Sequence, residues 1–195
     1  MLYIPNLMRE VKPKGIRTKE ALAESFRNLL AHKPVSKITI AEIVESCGMT
    51  VPTFYNHFRD KYALIAWIYV SDGARIMGKV GKDGYRWKDT LLDGMIYFSE
   101  NRDFVLKALA HVSGRTQFLT LMEDTNIALL QTEIRKKLRP GEDIPEDIAE
   151  MSRIYCMGTC RYVYNWLVDG AVITPETVAD LCKDCLPYKL RYYLQ

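Results

Sequence analysis

Between Thr50 and Asn56 the chain gathers side chains that suit a polyanion with a patterned edge. Thr53 and Asn56 can hydrogen-bond to base edges, and Val51 with Pro52 can pack on thymine methyls. Thr50, and Thr39 upstream of it, can hold phosphate oxygens together with the backbone N–H groups of the helices they open. No arginine lies in this stretch to take guanine with two bonds, so readout is expected to lean on apolar contact and DNA shape. Catalytic chemistry has no comparable foothold. The chain contains no nucleophile elbow, no metal-binding His pair and no nucleotide loop. The run GKVGKDG from Gly78 to Gly84 lacks the Gly-Lys-Ser/Thr ending and follows no strand. Neither an enzyme nor a cofactor is expected.

Two short helices must carry those residues. Thr39 and Glu42 make a Thr-x-x-Glu capping box ahead of Ile40, Ile43 and Val44, so one helix opens at Thr39. It should stop at Gly48, which tolerates the left-handed conformation of a helix C-terminus. Thr50 caps the next helix, and Pro52 falls in its first turn, where a missing N–H costs little. Phe54 and Phe58, one turn apart, share a buried face and leave Thr53, Asn56 and His57 pointing elsewhere. Helix, tight glycine turn and polar-faced helix make a helix-turn-helix, whose second helix enters the major groove. Taken alone, the pattern also fits an ordinary packing unit.

The detailed string goes further. Thr-Phe-Tyr-Asn-His-Phe from Thr53 to Phe58, followed by Asp-Lys-Tyr-x-Leu-Ile from Asp60, resembles the signature of the TetR family of one-component transcriptional regulators. The resemblance covers about Arg17 to Tyr69 and is carried by Thr39, Ala41, Ile43, Gly48, Thr53, Phe54, Tyr55, His57, Phe58, Lys61 and Leu64. The ending FRDKYALIAWIY looks most like a subgroup related to activators of dihydroxyacetone kinase operons. It implies that Tyr55 and His57 contact phosphates and that Lys61 is a basic anchor at the start of the following helix.

Composition agrees with a folded chain. Of 195 residues, 48% are hydrophobic and 26% charged, and the net charge of +3 is too small to announce nucleic acid by itself. The basic residues crowd the front, from Arg9 to Lys37, as suits a small phosphate-contacting domain. No secretory signal is visible, and the longest apolar run, Tyr62 to Val70, falls well short of the ~20 residues that a membrane span needs. Five cysteines then read as reduced thiols, and a cytoplasmic protein with no membrane partner is expected.

Sustained period-two alternation is absent, so the fold should be all-α. The expected organisation is a basic arm over 1–15, the helix-turn-helix domain over 16–62, a connecting helix and linker over 63–84, and a helical regulatory and dimerisation domain over 85–195. Thr18 should cap the first helix, with Leu22, Phe26, Leu29 and Leu30 inward and Lys19 and Arg27 outward toward phosphates or solvent. The last helix should start at Thr174-Pro175 and run toward Leu190.

A homodimer on double-stranded DNA follows from geometry, since one such module covers little DNA while a twofold pair reads two half-sites. The expected interface lies on the last two helices, as the resemblance also implies. One stripe holds Tyr155, Gly158, Thr159, Tyr162, Val163 and Trp166, the other Val178, Leu181, Leu186 and Leu190, and both also fit intrachain core. The resemblance further implies a small-molecule effector pocket among these helices, with Trp87, Met95, Phe98, Phe104, His111, Phe118, Met122 and Tyr155 as candidates. A repressor answering to that effector is one reading, and a protein-partnered activator without a conventional inducer is the alternative. Cys156, Cys160, Cys182 and Cys185 offer a third, a metal or redox sensor, against their use as core filling.

Overall fold

The computed structural model describes the backbone of residues 13–111 and 115–194 and the side chains of 15–106 and 119–194. Within them the chain is all helical: α1 (Pro13–His32), a 3-10 turn (Val35–Lys37), α2 (Ile40–Ser46), α3 (Val51–Tyr55), α4 (Lys61–Met77), α5 (Trp87–Glu100), α6 (Arg102–His111), α7 (Arg115–Arg135), α8 (Glu146–Val168), α9 (Pro175–Asp184) and α10 (Tyr188–Leu194). No helix among the described residues is long and apolar enough to cross a membrane. Two compact units form, one of Met1–Ser71 with Asp103–Arg115, the other of Asp72–Arg102 with Thr116–Gln195. The first part of the expected arm, 1–12, lies outside the described residues.

In the first unit the described part of α1 already covers Pro13 to Thr18, so the expected cap Thr18 lies inside the helix. Leu22, Phe26 and Leu30 are buried as the spacing predicts, with Val35, Ile38, Ile43, Val44, Phe54 and Phe58. Ser25 ties α1 to α2, its hydroxyl donating to the Ile43 carbonyl at 2.6 Å. Lys19 does not simply point outward. Its ammonium lies 5.4 Å from the Phe58 ring centroid and 5.9 Å from that of Trp67, and burial lowers its pKa.

In the second unit α5 packs against α9 and α8, and α10 against α8. One buried cluster joins Met77, Trp87, Leu130, Ile134, Ile148, Tyr155, Leu186 and Leu190. Arg102 Nε donates to the Leu167 carbonyl at 2.7 Å and fixes the start of α6 to the end of α8. The Tyr97 hydroxyl donates to the buried Asp72 at 2.8 Å, joining α5 to α4. Thr174 caps α9 by accepting from the Thr177 N–H, with Pro175 in the first turn. The expected last helix is interrupted: α9 ends at Asp184 and α10 starts at Tyr188. Pro187 supplies no N–H and disfavours helical backbone in Leu186, which accounts for the break.

Candidate nucleic-acid interface

Two caps shape the site. The Thr39 N–H donates to Glu42 Oε2 at 2.9 Å while the Glu42 N–H donates to Thr39 Oγ1 at 3.3 Å, a complete capping box at α2. Lys33 pairs with the same carboxylate. The lysine and two donors of Thr39, its N–H and its hydroxyl (2.9 Å to the same Oε2), hold the Glu42 carboxyl down at about 2. Cys47 closes α2, and Gly48 takes φ +68, the left-handed turn expected of it. Thr50 then caps α3 by accepting from the Thr53 N–H at 3.4 Å, and its hydroxyl lies 2.9 Å from that of Thr53.

α3 is anchored by rings. Phe54 is fully buried, 5.7 Å from Phe58 by ring centroids, and Phe58 stacks edge-on to Trp67 of α4 at 5.9 Å. With those rings turned in, Thr50, Val51, Pro52, Tyr55 and Asn56 are exposed and Thr53 and His57 half-buried. Thr39 is exposed as well. All nine expected DNA-facing residues thus reach the accessible surface of the first unit, Lys61 half-buried like Thr53 and His57.

Lys61, the ninth, has another task. Its Nζ donates to the carbonyls of Val35 at 2.7 Å, Ile38 at 2.8 Å and Ser36 at 3.3 Å, and burial lowers its pKa. Three donors on three carbonyls saturate an ammonium. Lys61 therefore binds the 3-10 turn that leads into α2, a role hidden from the sequence because the partners lie far upstream.

The second unit holds a cavity of about 90 Å³ whose wall includes Trp87, Met95, Phe98, Met122 and Tyr155. Five of the eight expected pocket residues meet there. Phe104 is buried in the first unit, and the side chains of His111 and Phe118 lie outside the described residues. Cys156, Cys160, Cys182 and Thr159 also line the cavity, unforeseen as pocket residues. Burial raises all three thiols, Cys156 to about 12 and Cys182 to about 11, so they stay protonated. Cys185 is exposed, apart from them in environment, and among the described residues no group of three His, Cys, Asp or Glu side chains could hold a metal.

The two expected interface stripes divide by burial. Tyr155, Val163, Trp166, Val178, Leu186 and Leu190 are buried in the chain's own core, and Thr159 is half-buried. The Tyr155 hydroxyl donates to the Cys182 carbonyl at 2.9 Å and the Trp166 indole to the Ile173 carbonyl at 2.9 Å. Only Gly158, Tyr162 and Leu181 of the two stripes are exposed, beside Ile154 and Met157, which sequence periodicity passed over.

Comparison with known proteins places these features. Residues 24–68 match the family described as bacterial regulatory proteins of the tetR family, and residues 85–187 match a transcriptional regulator C-terminal region. The chain is similar to the HTH-type dhaKLM operon transcriptional activator DhaS of Lactococcus lactis, 30% identical over 94 residues that make up 48% of this chain and 50% of that protein. It matches the HTH-type transcriptional regulator EthR of Mycobacterium tuberculosis at 29% identity over 62 residues, 32% of this chain and 29% of that one. The chain thus aligns with half or less of the length of these curated relatives. Among solved structures, a dihydroxyacetone kinase operon activator DhaS superimposes with a TM-score of 0.67 at 20% identity, covering 92% of this chain and 99% of that one. FadR of Thermus thermophilus, a transcriptional repressor in complex with lauroyl-CoA, does so at 0.59 and 15% identity, covering 86% and 92%. At such identities the superpositions speak for the shared fold. With its recognition unit matched at the front and its helical remainder at the back, the chain belongs to the TetR family of DNA-binding transcriptional regulators.

Proposed function

We propose that the protein works as a homodimer that binds a two-half-site operator through α3, with an affinity set by what occupies the second unit. The observation that carries this reading is the accessible face from Thr50 to His57, held rigid by the buried Phe54 and Phe58. Thr53 and Asn56 reach base edges; Thr39, Thr50, Tyr55 and His57 hold phosphates; Val51 and Pro52 meet thymine methyls. The partner surface is the exposed apolar face of α8 and α9: Ile154 at 71% and Met157 at 50% exposure, with Gly158, Tyr162 and Leu181. Apolar side chains of this size on one helix face mark an association surface.

Response to an effector would run through α5, which walls the cavity with Met95 and Phe98 and holds Asp72 of α4 through Tyr97. α4 continues into the first unit, so a ligand that favours one position of α5 shifts the balance of operator-competent states. A gel shift with the DNA upstream of its own gene, at moderate salt and with and without competitor, tests the proposal: a specific complex of two chains per site supports it, and binding no better than to competitor DNA defeats it. Activation, not repression, is the second reading, favoured by the Lactococcus lactis relative that is described as an operon activator.

A further inference from the structure

Four of the five cysteines belong to the second unit, and they differ in access. Cys156, Cys160 and Cys182 are buried along the wall of the inner cavity, whereas Cys185 is exposed, and all four are free thiols. Cys182 lies in the last turn of α9, and Cys185, three residues on, is its C-terminal cap. That spacing suits a disulfide. Cα atoms three residues apart on a helix are about 5 Å from each other, within the roughly 4.4–6.8 Å that the bond accepts. The Cβ atoms, about 5–6 Å apart on a helix surface, must approach by about 1 Å. The chain can yield at this point. The Cys185 N–H is held by the Leu181 carbonyl at 3.0 Å, but Pro187, two residues on, has no N–H to continue the ladder.

The two sulfurs divide the work. The attacking form of a cysteine is its thiolate, and reactive cysteines are accessible ones with a cation nearby. Arg191 supplies the cation. Its Nε donates to the Leu186 carbonyl at 3.2 Å and its Nη2 to the Asp184 carbonyl at 3.4 Å, so one guanidinium rests on both residues that flank Cys185. Asp184 is the opposing charge, and Lys183 pairs with it and with Asp180. Cys182 is the inner partner. Burial, and after it the neighbouring Cys185 thiol, raises Cys182 to about 11, and burial raises Cys156 to about 12 and Cys160 further. The exposed sulfur is therefore the one to react first, with Cys182 next in reach and the two deeper thiols held back. Cys182 is also tied to its surroundings: its carbonyl accepts from the Tyr155 hydroxyl of α8 at 2.9 Å, and α9 packs on α5.

We propose that Cys185 and Cys182 are a thiol–disulfide pair through which a hydroperoxide acts on the second unit. The Cys185 sulfur attacks one peroxide oxygen, the O–O bond breaks, an alcohol or water leaves, and Cys185 becomes a sulfenic acid. The Cys182 sulfur then displaces the hydroxyl from Cys185, the S–S bond forms and water leaves. The two thiols give up two electrons and two protons in all, and the peroxide is reduced by those two electrons. Closing the bond tightens the last turn of α9 and draws the Cys182 side chain off the cavity wall, beside the Tyr155 tie between α8 and α9. A consequence for operator binding rests on the reading of the second unit as the part that sets DNA affinity; the thiol chemistry does not.

Hydrogen peroxide applied to the full-length protein, followed by tryptic digestion and mass spectrometry, tests this. Trypsin cuts after Lys183, between the two cysteines, so the bond joins the fragment ending at Lys183 to the fragment 184–189 and is read directly. That link should form, and dithiothreitol should reverse it. Cys185→Ser, altered at an exposed side chain, should form no link, and Cys182→Ala should stop at a Cys185 sulfenic acid that dimedone captures. Operator affinity should differ about fivefold or more between the reduced and the oxidised parent, and peroxide should leave it unchanged in Cys185→Ser. Cysteines that stay reduced, a bond between two chains through Cys185, a bond confined to Cys156 and Cys160, or an operator affinity indifferent to the Cys182–Cys185 bond would overturn the inference. A reduced protein that forms no specific complex defeats the operator reading instead, and the fragment map still decides the pair.

Discussion

Tyr55 and Asn56 are neighbours on the exposed end of α3, yet the proposed function assigns them to different parts of a DNA duplex. A phenol on a phosphate carries no sequence information, whereas an amide on a base edge does. Tyr55→Phe is therefore expected to weaken binding to every sequence alike. Asn56→Ala should lower the preference for the operator by about 1–3 kcal/mol at one base position, read by competition with single-base variants of the site. A uniform loss from Asn56→Ala would remove its base-reading role. Lys61 belongs to a different class, because its ammonium is spent on three backbone carbonyls. Lys61→Met should lower the stability of the first unit by about 1–3 kcal/mol, seen as a reduced melting temperature. The salt dependence of DNA binding, measured below that temperature, should stay as steep as in the parent; a flatter slope would put Lys61 on a phosphate.

At the scale of elements, the helix-turn-helix depends on a charge-assisted cap. Glu42 is held at about 2 from an ordinary value of 4.5, chiefly by Lys33 and by the two Thr39 bonds. A depressed carboxylate contributes stability that is present in full above its unfolded value near 4.5 and is lost as the pH falls through about 2. Acid titration of helicity should therefore show a step between those values that Glu42→Gln removes, and an unchanged acid profile would show that the cap is idle. These caps were legible in the sequence because they are local: Thr39 with Glu42 and Thr50 with Thr53 are each three residues apart. The α9–α10 break was written there too, in Pro187, though the apolar spacing around it reads straight through. The inward face of α8 was not. That helix carries apolar side chains on both sides, Tyr155, Val163 and Trp166 on one and Ile154, Met157 and Tyr162 on the other, and periodicity alone cannot say which side meets the rest of the chain. Lys61 and Lys19 were opaque for a related reason: their partners, three carbonyls and two rings, are brought to them only by the tertiary fold.

For the whole molecule, the proposed partner surface on the exposed face of α8 and α9 would decide the stoichiometry. Met157→Arg should place a charge where two copies meet and shift the protein to monomer in sedimentation, with operator affinity falling by more than tenfold as the second reading head is lost. A monomeric parent, or a dimer indifferent to Met157→Arg and Ile154→Asp, would move the interface elsewhere. The central claim is that α3 reads sequence, once per chain, in twofold pairs. Hydroxyl-radical footprinting on the upstream DNA, with the parent and the Thr53→Ala/Asn56→Ala variant side by side, tests it most directly. Two protected half-sites one or more helical turns apart, both lost in the variant while non-specific binding at low salt survives, are the predicted result. A single protected patch, or two half-sites that the variant protects as well as the parent, would contradict it.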